Sequence, residues 1–305
     1  MKLLKQLCQI HAPSGSEYKL GEFLLKYIEE NKSNWKNQPI IHHGEDFQDC
    51  IVLVFGKPTT AIFAHMDSVG FTARYDNELI KIGGPITKEG IKLVGEDSEG
   101  PISTTIISRK IKDRDVFFAN GRKINTGTTL TFDCNFRETS KHIQSCYLDN
   151  RLGVWNALRQ AETLENGIIC FSSWEEHGGG SIGYLAKFIY EKYKVRQALI
   201  SDITWVTDGV HEGKGVVVSM RDSGIPRRSY LNKILEYAKK SKIPFQIEVE
   251  GSGGSDGNSL QKSPYPFDWC FIGAPEQNYH SPDEMVHKND IDAMLKMYSW
   301  LMKHL

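Results

Sequence analysis

The chain has 305 residues, 40% of them hydrophobic, with 37 basic and 38 acidic side chains and a formal net charge of −1. That length holds one large domain or a main domain with a smaller companion, and the balanced charge excludes a general affinity for nucleic acid or anionic membranes. No apolar run reaches the roughly 18 residues of a spanning helix, and no basic patch is interleaved with aromatics.

The N-terminal stretch MKLLKQLCQIHAPSGSE is broken by Lys5, Gln6 and Gln9 and offers no signal-peptide apolar segment. Next, Leu20, Phe23, Leu24 and Ile28 recur at helical spacing after a serine-rich start, which predicts an amphipathic helix over 15–30 with a capping serine. Strands are expected near 50–55, 60–65, 168–173, 197–201, 215–219, 245–249 and 268–272. Helical patterns lie at about 150–163, 180–191, 226–240 and 290–303. This alternation predicts an α/β fold, a three-layer sandwich with a mostly parallel central sheet.

Residues 68–147 break the rhythm. Short β-prone pieces (FTARY, LIKIGG, TTIIS, DVFFA, TLTFD) are separated by turn residues such as Asp76-Asn77, Gly83-Gly84 and Asn120-Gly121. They predict a small β-rich, barrel-like domain inserted into a catalytic domain made of 1–67 and 148–305. The six cysteines, at 8, 50, 134, 146, 170 and 270, form no C-x-x-C pair. They read as small buried hydrophobes in a reducing compartment, with a cytoplasmic location as the expectation.

In open α/β sheets, functional residues gather at the carboxyl ends of strands. AIFAHMDSVG ends a strand with His65 and Asp67, two residues apart, so a carboxylate can hold the second ring nitrogen of a metal-binding imidazole. Asp149 stands before a helical run, where it could equally cap the helix. The adjacent Glu175 and Glu176 follow a strand, and a first helical turn is the alternative place for such acids. Asp202 follows another strand, and His280 lies in a polar loop where Ser281 or Asp283 could cap. Two histidines and these acids, without thiolates, form the donor inventory of a two-metal hydrolase. Adjacent glutamates can then divide the work, one as ligand and one as general base.

The ordered series HAPSGSE, AHMDSVGF, YLDNRLG, SSWEEHG, LISDIT, GSGGSDG and NYHSPDE closely resembles the dinuclear metallo-aminopeptidases of the glutamyl and deblocking aminopeptidase family. Some members of that family have been labelled endoglucanases. The resemblance runs from about residue 4 to the C-terminus. It implies two divalent ions per chain (zinc, with cobalt or manganese as alternatives), His65 and Asp202 as terminal ligands of one, Glu176 and His280 of the other, and Asp149 bridging. It also implies that Asp67 orients His65, that Glu175 is the base activating water, that peptides with a free N-terminus are substrates, and that the chain forms a homo-oligomer, a tetrahedral dodecamer. The family's segment after the glutamate pair is of Val-Gly type, whereas this chain has His177-Gly178-Gly179-Gly180.

Two other readings share these residues. Related two-metal carboxypeptidases and deacylases also carry the H-x-D, bridging Asp and Glu-Glu pattern, but their smaller domain typically follows the glutamate pair instead of lying between His65 and Asp149. A non-catalytic scaffold of the same fold would be expected to have lost a ligand or the base, and none is replaced. The loop at 251–257 lacks the G-K-[ST] ending of a phosphate loop. It reads either as a turn with Ser255 or Asp256 capping the next helix or as a wall of the site. Side-chain preference is not legible in the sequence.

Overall fold

Alternate residues of the strand Gln48–Phe55 serve two different cores. Ile51, Leu53 and Phe55 pack to one side, and Cys50, Val52 and Val54 to the other, because successive side chains of a strand point to opposite faces. The computed structural model describes residues 1–305 and places this strand in an 11-stranded sheet covered by helices on both faces. Helices Lys2–Cys8, Tyr18–Asn31, Leu148–Ala161, Arg228–Ser241 and Lys288–His304 cover one face. Helices Ile182–Tyr193 and Asp256–Lys262 cover the other. Each fully buried Leu, Ile or Phe side chain in these layers contributes about 1.5–3 kcal/mol.

The sheet is mixed: the expected parallel arrangement holds for its four central strands and not for those that flank them. Gly167–Ser172, Ala61–His65, Gln197–Trp205 and Asp268–Gln277 lie side by side and parallel. Antiparallel strands flank them: Gln48–Phe55 on one side, Val216–Ser219 and Glu284–His287 on the other. The reason is visible in the connection between Phe55 and Ala61. Residues 56–60 are too few for the dozen or so that a parallel crossover needs, so the chain must reverse.

A second, six-stranded antiparallel sheet follows, in the order Leu79–Ile82, Gly70–Ala73, Thr129–Phe132, Lys92–Asp97, Gly100–Ile111, Arg114–Ala119. It has its own core, including Phe71, Leu93, Ile106, Leu130 and Phe132. A bridge between Glu78 and Phe118 brings its two outer strands together, so the sheet curls on itself. The sequence places residues 137–145 with this insertion. In the structure Arg137–Glu138 and His142–Ser145 instead join the large sheet, through antiparallel pairing of His142–Ser145 with Glu284–His287.

The serine-rich start does not supply a helix cap. Glu17 stands at the N-cap of Tyr18–Asn31 and makes no side-chain capping bond. Its buried carboxylate instead accepts from the Trp174 N–H at 3.1 Å, while the Ser14 hydroxyl donates to Asp67. All six cysteines are free, and all but Cys134 are buried. No helix is long and apolar enough to cross a membrane.

Candidate metal centre

The seven sequence-predicted residues reach one place from five segments. His65 is the last residue of its strand and Asp67 lies two residues further on. Asp149 precedes the helical part of Leu148–Ala161, with φ −79° and ψ 105°. The cap that Asp149 might have supplied is made by Asn150, whose Oδ1 accepts from the Gly153 N–H at 3.0 Å. Asp149 therefore keeps its carboxylate free. Glu175 and Glu176 follow the strand Gly167–Ser172, and the next helix begins only at Ile182, so they belong to a loop and not to a first helical turn. Asp202 was expected just after a strand; it lies inside one, because Gln197–Trp205 runs further than the sequence suggested. His280 sits with φ 55° in the loop between Asp268–Gln277 and Glu284–His287.

The donor atoms fall into two groups that share Asp149. His65 Nε2 lies 3.3 Å from Asp149 Oδ1 and 3.6 Å from Asp202 Oδ2. His280 Nε2 lies 3.3 Å from Asp149 Oδ2 and 3.4 Å from Glu176 Oε2. In each group the ligand atoms are within 4.8 Å of one another. Glu175 belongs to neither group. Its Oε2 stands 4.0 Å from His65 Nε2, and its carboxylate makes no hydrogen bond inside the protein.

A surrounding set of contacts orients these groups. Asp67 Oδ1 is 3.5 Å from His65 Nδ1 and accepts from the Glu175 N–H at 3.1 Å. Its Oδ2 accepts from the Glu176 N–H at 3.1 Å and the Ser14 hydroxyl at 2.6 Å. The Asp67 backbone carbonyl also faces His65 Nδ1, at 3.3 Å, so this residue holds the imidazole through both its main chain and its carboxylate, and the glutamate loop through the carboxylate. His280 Nδ1 faces the Gly84 carbonyl at 3.3 Å, which leaves Nε2 to point at Asp149 and Glu176. Glu284 accepts from the Asp149 N–H at 3.1 Å. Arg151, fully buried, donates to the carbonyls of Leu7 and Met66.

Electrostatically the cluster holds more acids than cations. Burial, with Asp202 and Asp67 nearby, pushes the Glu175 carboxyl well above the usual range; burial, Asp149 and Glu175 do the same to Glu176. Burial and Asp149 raise Asp202 to about 6. His65 is raised although burial opposes it, because Asp202, Asp149 and Asp67 surround it. Asp149 is lowered against its burial by the two histidines. Glu176 Oε1 is also buried without a hydrogen-bond partner. Imidazole and carboxylate donors, an orphaned carboxylate oxygen and a deficit of cations fit divalent ions.

Sequence reasoning missed Glu17, Glu276, Glu284 and Arg151, all buried near this centre. Glu276 had one signal, an acid at the end of the apolar run FIGAP; both its oxygens lack partners. On the sequence Gly83 and Gly84 mark only a turn. A Cβ on Gly83 would meet Glu176 O at 3.0 Å, and one on Gly84 would meet His280 Nδ1 at 3.3 Å. His177 is exposed and accepts from the Gly83 N–H at 3.0 Å. Ser255 caps the helix Asp256–Lys262, as the turn reading of the 251–257 loop expected, and Gly253 and Gly254 of the same loop line the site. The centre opens into a cavity of about 290 Å³. A larger groove, about 1240 Å³, lies at the opposite end of the sheet around Gln197 and Asp268 and holds none of these residues.

Residues 91–297 match the profile of the M42 glutamyl aminopeptidase family. A protein of Acetivibrio thermocellus assigned as an aminopeptidase is 24% identical over 97% of this chain and 96% of its own length. A lysyl aminopeptidase of Pyrococcus furiosus is 23% identical over 81% of this chain and 82% of its own. Among solved structures, the Pyrococcus horikoshii TET1 peptidase, described as assembling into a tetrahedron or a large octahedral shell, superposes with a TM-score of 0.79. It is 22% identical, with 100% of this chain and 99% of that one covered.

Proposed function

This chain belongs to the M42 glutamyl aminopeptidase family and is a metallo-aminopeptidase, and from that premise we propose that it removes the N-terminal residue of peptides at a dinuclear centre with Glu175 as general base. The observation that carries this reading is the position of Asp149, whose two oxygens face two different histidine–carboxylate groups. In the proposal His65 and Asp202 would hold one ion and Glu176 and His280 the other, with Asp149 available to both. Two bound cations would polarise the scissile carbonyl and make the attacking water more acidic. Glu175 takes the water's proton on its free carboxylate and returns it to the leaving amine. Asp67 keeps His65 Nε2 directed at the centre and holds the Glu175 backbone in place.

The insertion is read as a separate unit that completes one side of the centre through Gly83 and Gly84, and the chain as a homo-oligomer. Exposed Ile40, Tyr75, Ile80, Ile111 and Ile225 are consistent with further burial between copies. Sedimentation of the purified protein tests assembly.

The activity is tested with metal-reconstituted protein on matched peptides bearing free or acetylated N-termini, with a chelator control and metal analysis. Stepwise, chelator-sensitive release from the free-amine peptides only, with two ions per chain, is expected. Full activity with one ion, or cleavage of the acetylated set, overturns the assignment.

A further inference from the structure

Resting on the aminopeptidase reading, we propose that the cavity beside the centre selects N-terminal residues with a cationic side chain, lysine or arginine, through Glu248 and Glu250. Apart from the centre itself and Gly84, the lining consists of Ile203, Thr204, Trp205, Phe271, three acids (Asp222, Glu248, Glu250) and the loop 252–254. No lysine or arginine lines it.

The three acids differ in what already satisfies them. Asp222 is committed to the fold: it accepts from the Gly224 N–H at 2.6 Å, the Ser255 hydroxyl at 3.0 Å and the Asn258 amide at 3.3 Å. Glu248 is 4% exposed, accepts from the Thr204 hydroxyl, and has no cationic partner. The neighbouring Ser219 hydroxyl is turned to the Arg221 carbonyl at 3.0 Å. Glu250 is half-buried; its backbone N–H is held by the Arg221 carbonyl at 3.0 Å, while its carboxylate has no partner. A nine-tenths buried carboxylate beside a second acid, in a cavity lined by no lysine or arginine, either takes a proton or is ionised at a cost that a cationic ligand offsets.

The rest of the lining suits the stem of such a ligand. Ile203, Phe271 and the Trp205 indole give apolar walls for methylene groups, and the indole stacks on Tyr279 at 4.7 Å. Gly253, with φ +76°, lets the loop lie against that indole, since a Cβ there would be 3.2 Å from Trp205 Cη2. A flexible apolar stem ending in a cation matches this sequence of surfaces. A glutamyl side chain of similar length would bring a third carboxylate against Glu248 and Glu250.

The test uses the metal-loaded full chain and aminoacyl coumarin amides of lysine, arginine, norleucine and glutamate. A charge-assisted hydrogen bond corresponds to a factor of about 10–100. Lysyl and arginyl substrates should therefore exceed norleucyl in kcat/KM by about that factor, with glutamyl lowest. Glu250→Gln should lower the lysine-to-norleucine ratio about tenfold, and Glu248→Gln at least as much; a general loss of activity would not move that ratio. Calorimetric binding of free L-lysine against L-norleucine reads the pocket without turnover. Preference for norleucyl or glutamyl substrates in an active enzyme, or equal binding of the two amino acids, overturns the assignment while leaving the aminopeptidase reading intact. No release of any residue, with lysine still bound about tenfold tighter than norleucine, supports the pocket and overturns the reaction.

Discussion

Asp67→Asn isolates the role of the residue that ties the centre together. The amide fills the same volume as the carboxylate, so no cavity results, and the consequences come from hydrogen bonding and charge. Oδ2 accepts from the Glu176 N–H and the Ser14 hydroxyl, and Oδ1 from the Glu175 N–H, with His65 Nδ1 at 3.5 Å. Wherever the asparagine nitrogen lies, it points a donor at a backbone donor. Ser14 can turn its hydroxyl to accept, but the Glu175 or Glu176 N–H cannot. The Asp67 backbone carbonyl, 3.3 Å from His65 Nδ1, remains in the variant as an acceptor, so the imidazole loses the negative charge of its second partner and keeps its tautomer. Each bond lost from a charged acceptor is worth about 1.5–3 kcal/mol, so one or two together amount to about 1.5–6 kcal/mol. Divided between fold and metal binding, this predicts metal affinity about 10–100-fold weaker, equivalent to about 1.4–2.7 kcal/mol, and a lower melting temperature. Calorimetric titration of the metal-free protein with zinc or manganese, with a thermal melt alongside, measures both. Metal affinity and melting temperature equal to the unsubstituted protein's would refute the orienting role.

Glu175→Gln should retain both ions, because its carboxylate belongs to neither donor group, yet lose about 10²–10⁴ in kcat; near-normal turnover removes it as the base. Gly83→Ala forces a side chain into φ +67° and within 3.0–3.2 Å of Glu176 O, Val69 Cγ1 and Glu176 Oε2, at a cost of about 1–2 kcal/mol. A two-step metal titration should show one step loosened about tenfold and the other kept; two unchanged steps would separate the insertion from the centre. Glu17 tests the electrostatics of burial. Its carboxyl is pushed up to about 7 by burial and by Asp67, against an ordinary 4.5. Between those values the folded chain holds a proton that the unfolded chain has released, so this group's contribution falls as pH rises from about 4.5 to 7, by up to about 3 kcal/mol. Glu17→Gln should therefore melt higher than the parent at pH 8 and alike at pH 5; a gain confined to acid pH would reverse the assigned sign.

The types of residue at the centre were legible in the sequence because polar side chains interrupt apolar strands where a packed core has no use for them. The strand–helix alternation was legible for a similar local reason, since periods of two and 3.6 are written in neighbouring positions. What the sequence by itself determined was thus which polar residue types interrupt the apolar strands, and most element centres. The tertiary structure alone decided which donors meet: Asp149 lies between histidines from opposite ends of the chain, and Asn150 takes over the cap that would have occupied it. It also decided that 137–145 pair with Glu284–His287, that the sheet is mixed, and that Gly84, Glu284 and Arg151 support the site. None of these leaves a local trace. Sheet pairing and buried charge are settled by which distant segments pack together, and adjacent residues carry no record of that choice.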